Sequence, residues 1–246
     1  MKKALLLGFA FFIIIIVFFA WYLKASIYWS LGTTSVHQPT DYAEFTVGKT
    51  TGKEITYVAI GDSLTAGVGV ASYRESYPYL IAEHLASTST KVHLKPYAVP
   101  GVRSSYVLSN FIDQVIKSKP DVVTLLIGVN DIHGKISVRQ FSENYTKILT
   151  ELTTNTNATV YVINLPYIGT PDLISLPYRS YFDWRTRVYN NEIQKLATAF
   201  NVTYIDLYSA HESTALNNQY YAADFFHPNA VGYKLWADTI YDYFSH

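Results

Sequence analysis

The sequence predicts an α/β protein in which a parallel sheet is covered on both faces by helices and follows one N-terminal apolar segment. Three observations predict it. From Glu54 onward, short β-branched runs alternate with stretches of helical spacing, the pattern of repeated right-handed strand–helix–strand crossovers. Val122-Val123-Thr124-Leu125-Leu126-Ile127 is apolar almost throughout, as a strand in the middle of a parallel sheet must be. Ala4 to Leu23 is twenty residues without a charge.

The apolar segment comes first. At about 1.5 Å per residue, twenty helical residues span roughly 30 Å, the hydrocarbon thickness of a bilayer. Lys2 and Lys3 precede it, and only Lys24 follows before Lys49. The charge bias places the N-terminus in the cytoplasm and the rest of the chain outside. A cleaved signal peptide has a shorter apolar region, of about 7–15 residues. Residues 1–23 are therefore expected to be a retained transmembrane helix at the cell membrane; cleavage would make the remainder a secreted protein. Residues 24–53, polar from Leu31 to Lys53, contain Gly, Thr, Ser and Pro39 and show no sustained period. They read as a linker able to hold the domain tens of Å off the membrane.

Residues 54–246 read as one domain. Ile55 to Ile60 is the first strand. Tyr77 to Ala86 is a helix with Leu80, Ile81 and Leu85 on one face. Val92 to Val99 is the second strand, placed at an edge by Pro96. Val107, Leu108, Phe111, Ile112, Val115 and Ile116 keep helical spacing, and the third strand is Val122–Ile127. Val138, Phe141, Tyr145, Ile148, Leu149 and Leu152 mark an amphipathic helix, followed by the strand Thr159–Ile163. Pro166 to Tyr181 reads as a long loop, and a helix carries Trp184, Val188, Leu196 and Phe200. Val202 to Ile205 is the fifth strand. Val231, Leu235, Ile240 and Tyr243 mark the last helix.

Composition narrows the function. Lys plus Arg equals Asp plus Glu, and no basic tract argues for nucleic acid. The absence of cysteine removes disulfides, thiolate catalysis and cysteine zinc sites. The 22 tyrosines are scattered and are assigned to core edges and surface.

Every residue suited to chemistry lies just past a strand. Ser63 follows the first, Gly101 the second, and Gly128-Val129-Asn130-Asp131 the third. Asp224-Phe225-Phe226-His227-Pro228 lies after the fifth, before the last helix. In a parallel sheet these loops emerge at the same edge, where ligands bind. A serine hydroxyl needs a base, and His227 is suited to that task. A carboxylate must orient the imidazole, and Asp224 lies three residues away. An oxyanion needs fixed donors. The N–H groups of Ser63 and Gly101 and the Asn130 amide are candidates. Gly67 and Gly69 are assigned to the turn after Ser63. Asp62 and Asp131 are read as loop-bracing carboxylates and Asp206 as structural. His84, His93, His133 and His211 are read as ordinary surface or packed residues, and Arg103 as a solvated helix-start residue. Asn144, Asn157 and Asn201 begin glycosylation-type triplets.

Gly61-Asp62-Ser63-Leu64, Gly101, Gly128-Val129-Asn130-Asp131 and Asp224-Phe225-Phe226-His227-Pro228 resemble the four signature blocks of the SGNH, or GDSL, hydrolases, in the family order. The resemblance runs from about Glu54 to His246. Ahead of the second-block glycine, where members often carry an asparagine, this chain has Ala98-Val99-Pro100. The residues around Ser63 do not form the Gly-x-Ser-x-Gly elbow of the α/β-hydrolases. The resemblance implies a flavodoxin-like three-layer α/β/α sandwich on a five-stranded parallel sheet, and ester hydrolysis with no metal or cofactor. It implies Ser63 as nucleophile, His227 as base, Asp224 as the orienting acid, and Ser63, Gly101 and Asn130 as oxyanion donors. The expected protein is an extracytoplasmic serine esterase of lipase type acting on a lipid, lysophospholipid or acetylated glycan. An envelope O-acyltransferase and an anchored binding module are the alternatives.

Overall fold

The computed structural model describes residues 2–33, 36–49, 52–86, 90–167, 170, 172–174, 176 and 178–245. Residues 34, 35, 50 and 51 of the predicted linker, and 168, 169, 171, 175 and 177 of the predicted long loop, lie outside the described residues. The chain opens with helix α1, Lys2–Thr33. Its described side chains from 6 to 22 are almost all exposed. Among the described residues no helix is long and apolar enough to cross a membrane. The Tyr178 hydroxyl donates to the Ala20 carbonyl at 2.8 Å, so α1 touches the domain directly.

The strands are β1 (Phe45–Gly48), β2 (Lys53–Gly61), β3 (Thr90–Ala98), β4 (Val122–Leu126), β5 (Thr159–Ile163) and β6 (Thr203–Ile205). Among the described residues they form one sheet in the order β1-β3-β2-β4-β5-β6. All neighbours are parallel except β1, which runs antiparallel to β3 with Phe45 opposite Leu94 and Gly48 opposite Lys91. The sheet is thus six-stranded and mixed, where the sequence predicts five parallel strands. The extra strand comes from the stretch read as a linker. It is four residues long, too short to show a period, and tertiary packing holds it: the Phe45 ring stacks on Tyr73 and meets Tyr79 edge-on.

The same pairing explains Pro96. β3 lies between β1 and β2, yet its pairing with β1 ends at Leu94. Beyond that point the Tyr42 hydroxyl takes the place of a strand, accepting from the Ala98 N–H at 3.1 Å and donating to the Ala98 carbonyl at 2.9 Å. Proline therefore sits where no ladder donor is required.

The helices are α2 (Tyr77–Leu85), α3 (Ser104–Tyr106), α4 (Ile112–Lys117), α5 (Val129–His133), α6 (Val138–Asn155), α7 (Tyr178–Ala199), α8 (Leu207–His211) and α9 (Ala230–Asp242). A π-turn, Val107–Phe111, joins α3 to α4. On one face α2 packs on α9; on the other, α6 packs between α4 and α7. The predicted stripe of α6 is buried through Phe141, Tyr145, Ile148, Leu149 and Leu152, and Ser137 caps the helix by accepting the Gln140 N–H. Burying each such aliphatic side chain contributes about 1.5–3 kcal/mol. α7 begins at Tyr178, inside the stretch read as loop.

Tyr57, Tyr73, Tyr77, Tyr145, Tyr189 and Tyr233 have no exposed surface. They belong to the core, not to its edges. Buried phenols need partners, and five of these six have one; the Tyr145 hydroxyl is without a partner among the described residues.

The chain leaves β2 for β3 on one side, then crosses back to β4 on the other. The carboxyl end of β2 is thus a topological switch point, the place in an open α/β sheet where ligands bind. Ser63 follows it by two residues.

Candidate active site

β2 ends at Gly61, where nothing larger fits: a Cβ there would overlap the Thr65 side chain and the Leu126 carbonyl. The chain then turns, with the Ala66 N–H donating to the Asp62 carbonyl (2.8 Å) and the Val68 N–H to the Ser63 carbonyl (3.0 Å). Three buried tyrosines clamp this turn. Tyr77 hydrogen-bonds the Thr65 hydroxyl at 2.7 Å, Tyr73 donates to the Thr65 carbonyl at 3.2 Å, and Tyr233 donates to the Val68 carbonyl at 2.8 Å. Gly69 has φ +111° and packs against the Pro228 carbonyl where a Cβ would sit. The nucleophile loop and the histidine loop meet there, which accounts for the glycine.

Ser63 is 8% exposed. Its Oγ lies 2.9 Å from His227 Nε2, and His227 Nδ1 lies 2.6 Å from Asp224 Oδ2. Asp224 is 2% exposed. Its Oδ1 accepts the N–H groups of Phe226 and His227, each at 3.0 Å. The loop closes tightly because Phe225 adopts a left-handed conformation, φ +56°. Burial alone would raise the Asp224 carboxyl. The His227 hydrogen bond and charge, with the two N–H groups, hold it below its ordinary value instead. An ionised Asp224 accepts from Nδ1–H, which leaves Nε2 as the acceptor facing Ser63.

Gly101, after β3, and Asn130, after β4, line one cleft of about 400 Å³ with Ser63, Asp224 and His227. All five sequence-predicted residues therefore converge. One Asn130 Nδ2–H donates to Asp62 Oδ2 at 3.0 Å, leaving the other for the cleft. Asp62 Oδ1 accepts the Leu64 N–H at 3.1 Å. Burial pushes the Asp62 carboxyl up to about 6, against the opposing pull of the Leu64 N–H, His227 and Asn130.

The remaining candidates take structural places. Asp131 accepts the Ser104 N–H (2.9 Å) and hydroxyl (2.6 Å), tying the Asn130 loop to the Gly101 loop. Burial raises its carboxyl, against those two Ser104 bonds. Asp206 caps α8 and accepts the Asn164 amide. His84 pairs with Asp238, His93 with Glu54, and His211 is buried against Thr239. Arg103 is exposed. Asn144 is buried and bonded to Ser104, whereas Asn157 and Asn201 are exposed.

His133 is exposed and packed against two rings. It lines the cleft, its ring lying 5.4 Å from Phe182 and 5.6 Å from Phe226. Val36, Gln38, Val68, Pro100 and Phe226 line the cleft as well, and the sequence reading gives none of them a role in the site. Phe226 stood inside the histidine block; Val36 and Gln38 lay in the stretch assigned to a linker.

Fold and site together define an α/β protein of the flavodoxin-like kind with a serine–histidine–aspartate chain at its switch point. The chain belongs to the GDSL-like lipase/acylhydrolase family, whose model matches residues 59–235. It is 28% identical over 193 residues to a GDSL-like esterase of Mycobacterium tuberculosis, an alignment covering 76% of this chain and 61% of that protein. The chain thus spans about three fifths of that relative. The crystal structure of a lipase/acylhydrolase from Enterococcus faecalis superposes with a TM-score of 0.63 at 25% identity, over 77% of this chain and 94% of that one. A member of the lipolytic G-D-S-L family from Veillonella parvula shares the fold, with a TM-score of 0.64 at 20% identity over 78% and 98% of the two chains.

Proposed function

We propose that this chain is a serine ester hydrolase. The single observation that carries the reading is the continuous chain Asp224–His227–Ser63, at 2.6 and 2.9 Å, opening on a cleft that also holds Gly101 and Asn130. Ser63 Oγ attacks the ester carbonyl while His227 Nε2 takes its proton. Asp224 keeps the imidazole oriented and stabilises the imidazolium. The tetrahedral oxyanion is received by the N–H groups of Ser63 and Gly101 and the free N–H of Asn130. His227 then gives its proton to the departing alcohol, leaving the acyl group on Ser63. Water then attacks the acyl carbon, giving a proton to His227, which passes it to Ser63 Oγ as the acid leaves.

The working site is further proposed to lie outside the cytoplasm, with Ala4 to Leu23 as its membrane anchor. The lysines before that run and the large apolar side chains that α1 exposes support the placement. Lipid esters and acylated envelope glycans are the substrates that such a location offers.

Turnover of an activated ester by Ser63→Ala and His227→Ala tests the chemistry. Each is expected to lose activity while melting as the parent does; near-parental turnover by either sinks the assignment. Membrane fractionation of the full chain tests the anchor, and recovery in the soluble fraction contradicts it.

A further inference from the structure

The catalytic cleft has a wall that lies outside the matched family region. Residues 36–42 precede that region, residues 59–235, by more than one element of structure, yet Val36 and Gln38 line the cleft with Ser63 and His227. The segment is fastened along its length to the stretch that follows the nucleophile turn. The Gly69 N–H donates to the His37 carbonyl at 2.8 Å, and the Thr40 N–H to the Ala71 carbonyl at 3.4 Å. The Asp41 carboxylate accepts the Tyr73 N–H at 2.6 Å and the Ser72 hydroxyl at 2.7 Å. Tyr42 then anchors to the end of β3 through Ala98 and sets its ring edge-on against Tyr73, 5.1 Å away. Gly69, whose N–H holds the strap at His37, also packs against Pro228, beside the catalytic histidine.

We propose that residues 36–42 form a specificity strap. Val36 and Gln38 contact the part of the ester remote from the reacting carbonyl and set which chain the cleft accepts. The inference rests on the reading of Ser63 as nucleophile. The strap residues that line the cleft are Val36 and Gln38, and neither side chain can take a proton from Ser63. Val36 offers an apolar surface and Gln38 a neutral amide on its exposed side. Both lie in the same cleft as the apolar Val68, Pro100 and Phe226. A wall of this composition fits an uncharged chain. The strap also begins three residues after the end of α1, so Val36 lies within about 11 Å of Thr33.

Two variants test the strap in the full chain: Val36→Trp, which fills the cleft, and Gln38→Leu, which makes its exposed wall apolar. Each is assayed on p-nitrophenyl esters from acetate to decanoate, and on acetates of alcohols of increasing length. A buried methylene is worth about fourfold in binding, and a misfit in such a pocket tenfold or more. Val36→Trp is expected to lower the ratio of long-chain to acetate kcat/KM by at least tenfold in one of the two series. Gln38→Leu is expected to raise it by about fourfold or more in the same series. A purely structural role for the strap scales every substrate alike and leaves the ratios flat. Flat ratios in both series for a folded Gln38→Leu overturn the proposal, whether or not Val36→Trp folds. Phosphonate labelling of Ser63 in the same variants keeps the two readings apart: labelled but flat proteins refute the strap alone, and an unlabelled parent refutes the nucleophile.

Discussion

Replacing Asp224 by asparagine is expected to do more than remove a charge. Asp224 Oδ1 accepts two backbone N–H groups at 3.0 Å, so the oxygen of an asparagine amide must occupy that position. Its NH₂ group is then turned toward His227 Nδ1, which in the parent lies 2.6 Å from Oδ2. Two donors cannot face one another. The imidazole responds by carrying its proton on Nε2, directed at Ser63 Oγ, and the base is lost. A serine site locked in the wrong tautomer loses about 10⁴ in kcat, roughly 5 kcal/mol of transition-state stabilisation. The substitution is isosteric and keeps both backbone hydrogen bonds, so KM and the melting curve are expected to change little. Steady-state turnover of p-nitrophenyl acetate at neutral pH, with a thermal melt of the same sample, measures both. A folded Asp224→Asn enzyme within tenfold of the parental kcat would falsify the tautomer argument.

Three further outcomes are expected. Asn130→Ala removes one oxyanion donor and lowers kcat about 10²–10³-fold; because the Asp62 carboxylate also loses a partner, a lower melting temperature accompanies it, and unchanged kinetics contradict the role. Asp62 has a folded value of about 6 against an ordinary 3.8, so the folded chain binds more protons than the unfolded chain between those pH values, and the Asp62 contribution makes stability fall as pH rises from about 4 to 6. Asp62→Asn is expected to flatten that slope, measured as melting temperature against pH, and an unaltered slope rejects it. Tyr233→Phe leaves the buried Val68 carbonyl without its donor and is expected to cost about 1–3 kcal/mol in a denaturant titration, with a fall in kcat as the nucleophile turn loosens; parental stability contradicts the clamp.

Much of this molecule was legible from the sequence because its signals are local. The apolar run at Val122, the stripe from Val138 to Leu152, and a reactive residue type after each of several strands depend on neighbours a few positions away. What was not legible depends on distant partners. Phe45 to Gly48 is a strand only because β3 offers an unpaired edge and Tyr73 and Tyr79 receive the Phe45 ring. Residues 36–42 have no period, since hydrogen bonds to residues 69–73 hold them rather than an apolar face. Sequence alone assigns the tyrosines to edges and surface because a phenol is buried only when its hydroxyl has a partner. Thr65, Thr124 and two backbone carbonyls around the nucleophile turn and α6, those of Val68 and Ile136, provide partners that spacing does not reveal. His133 looked ordinary for the same reason: Phe182 and Phe226, from two other segments, frame it at the cleft.

The most direct test of Ser63 as the nucleophile is to treat the full chain with a fluorophosphonate and locate the adduct by peptide mass spectrometry. One adduct is expected, on Ser63, absent from Ser63→Ala and formed far more slowly in His227→Ala. An adduct on another residue, or labelling of Ser63→Ala at the parental rate, contradicts it.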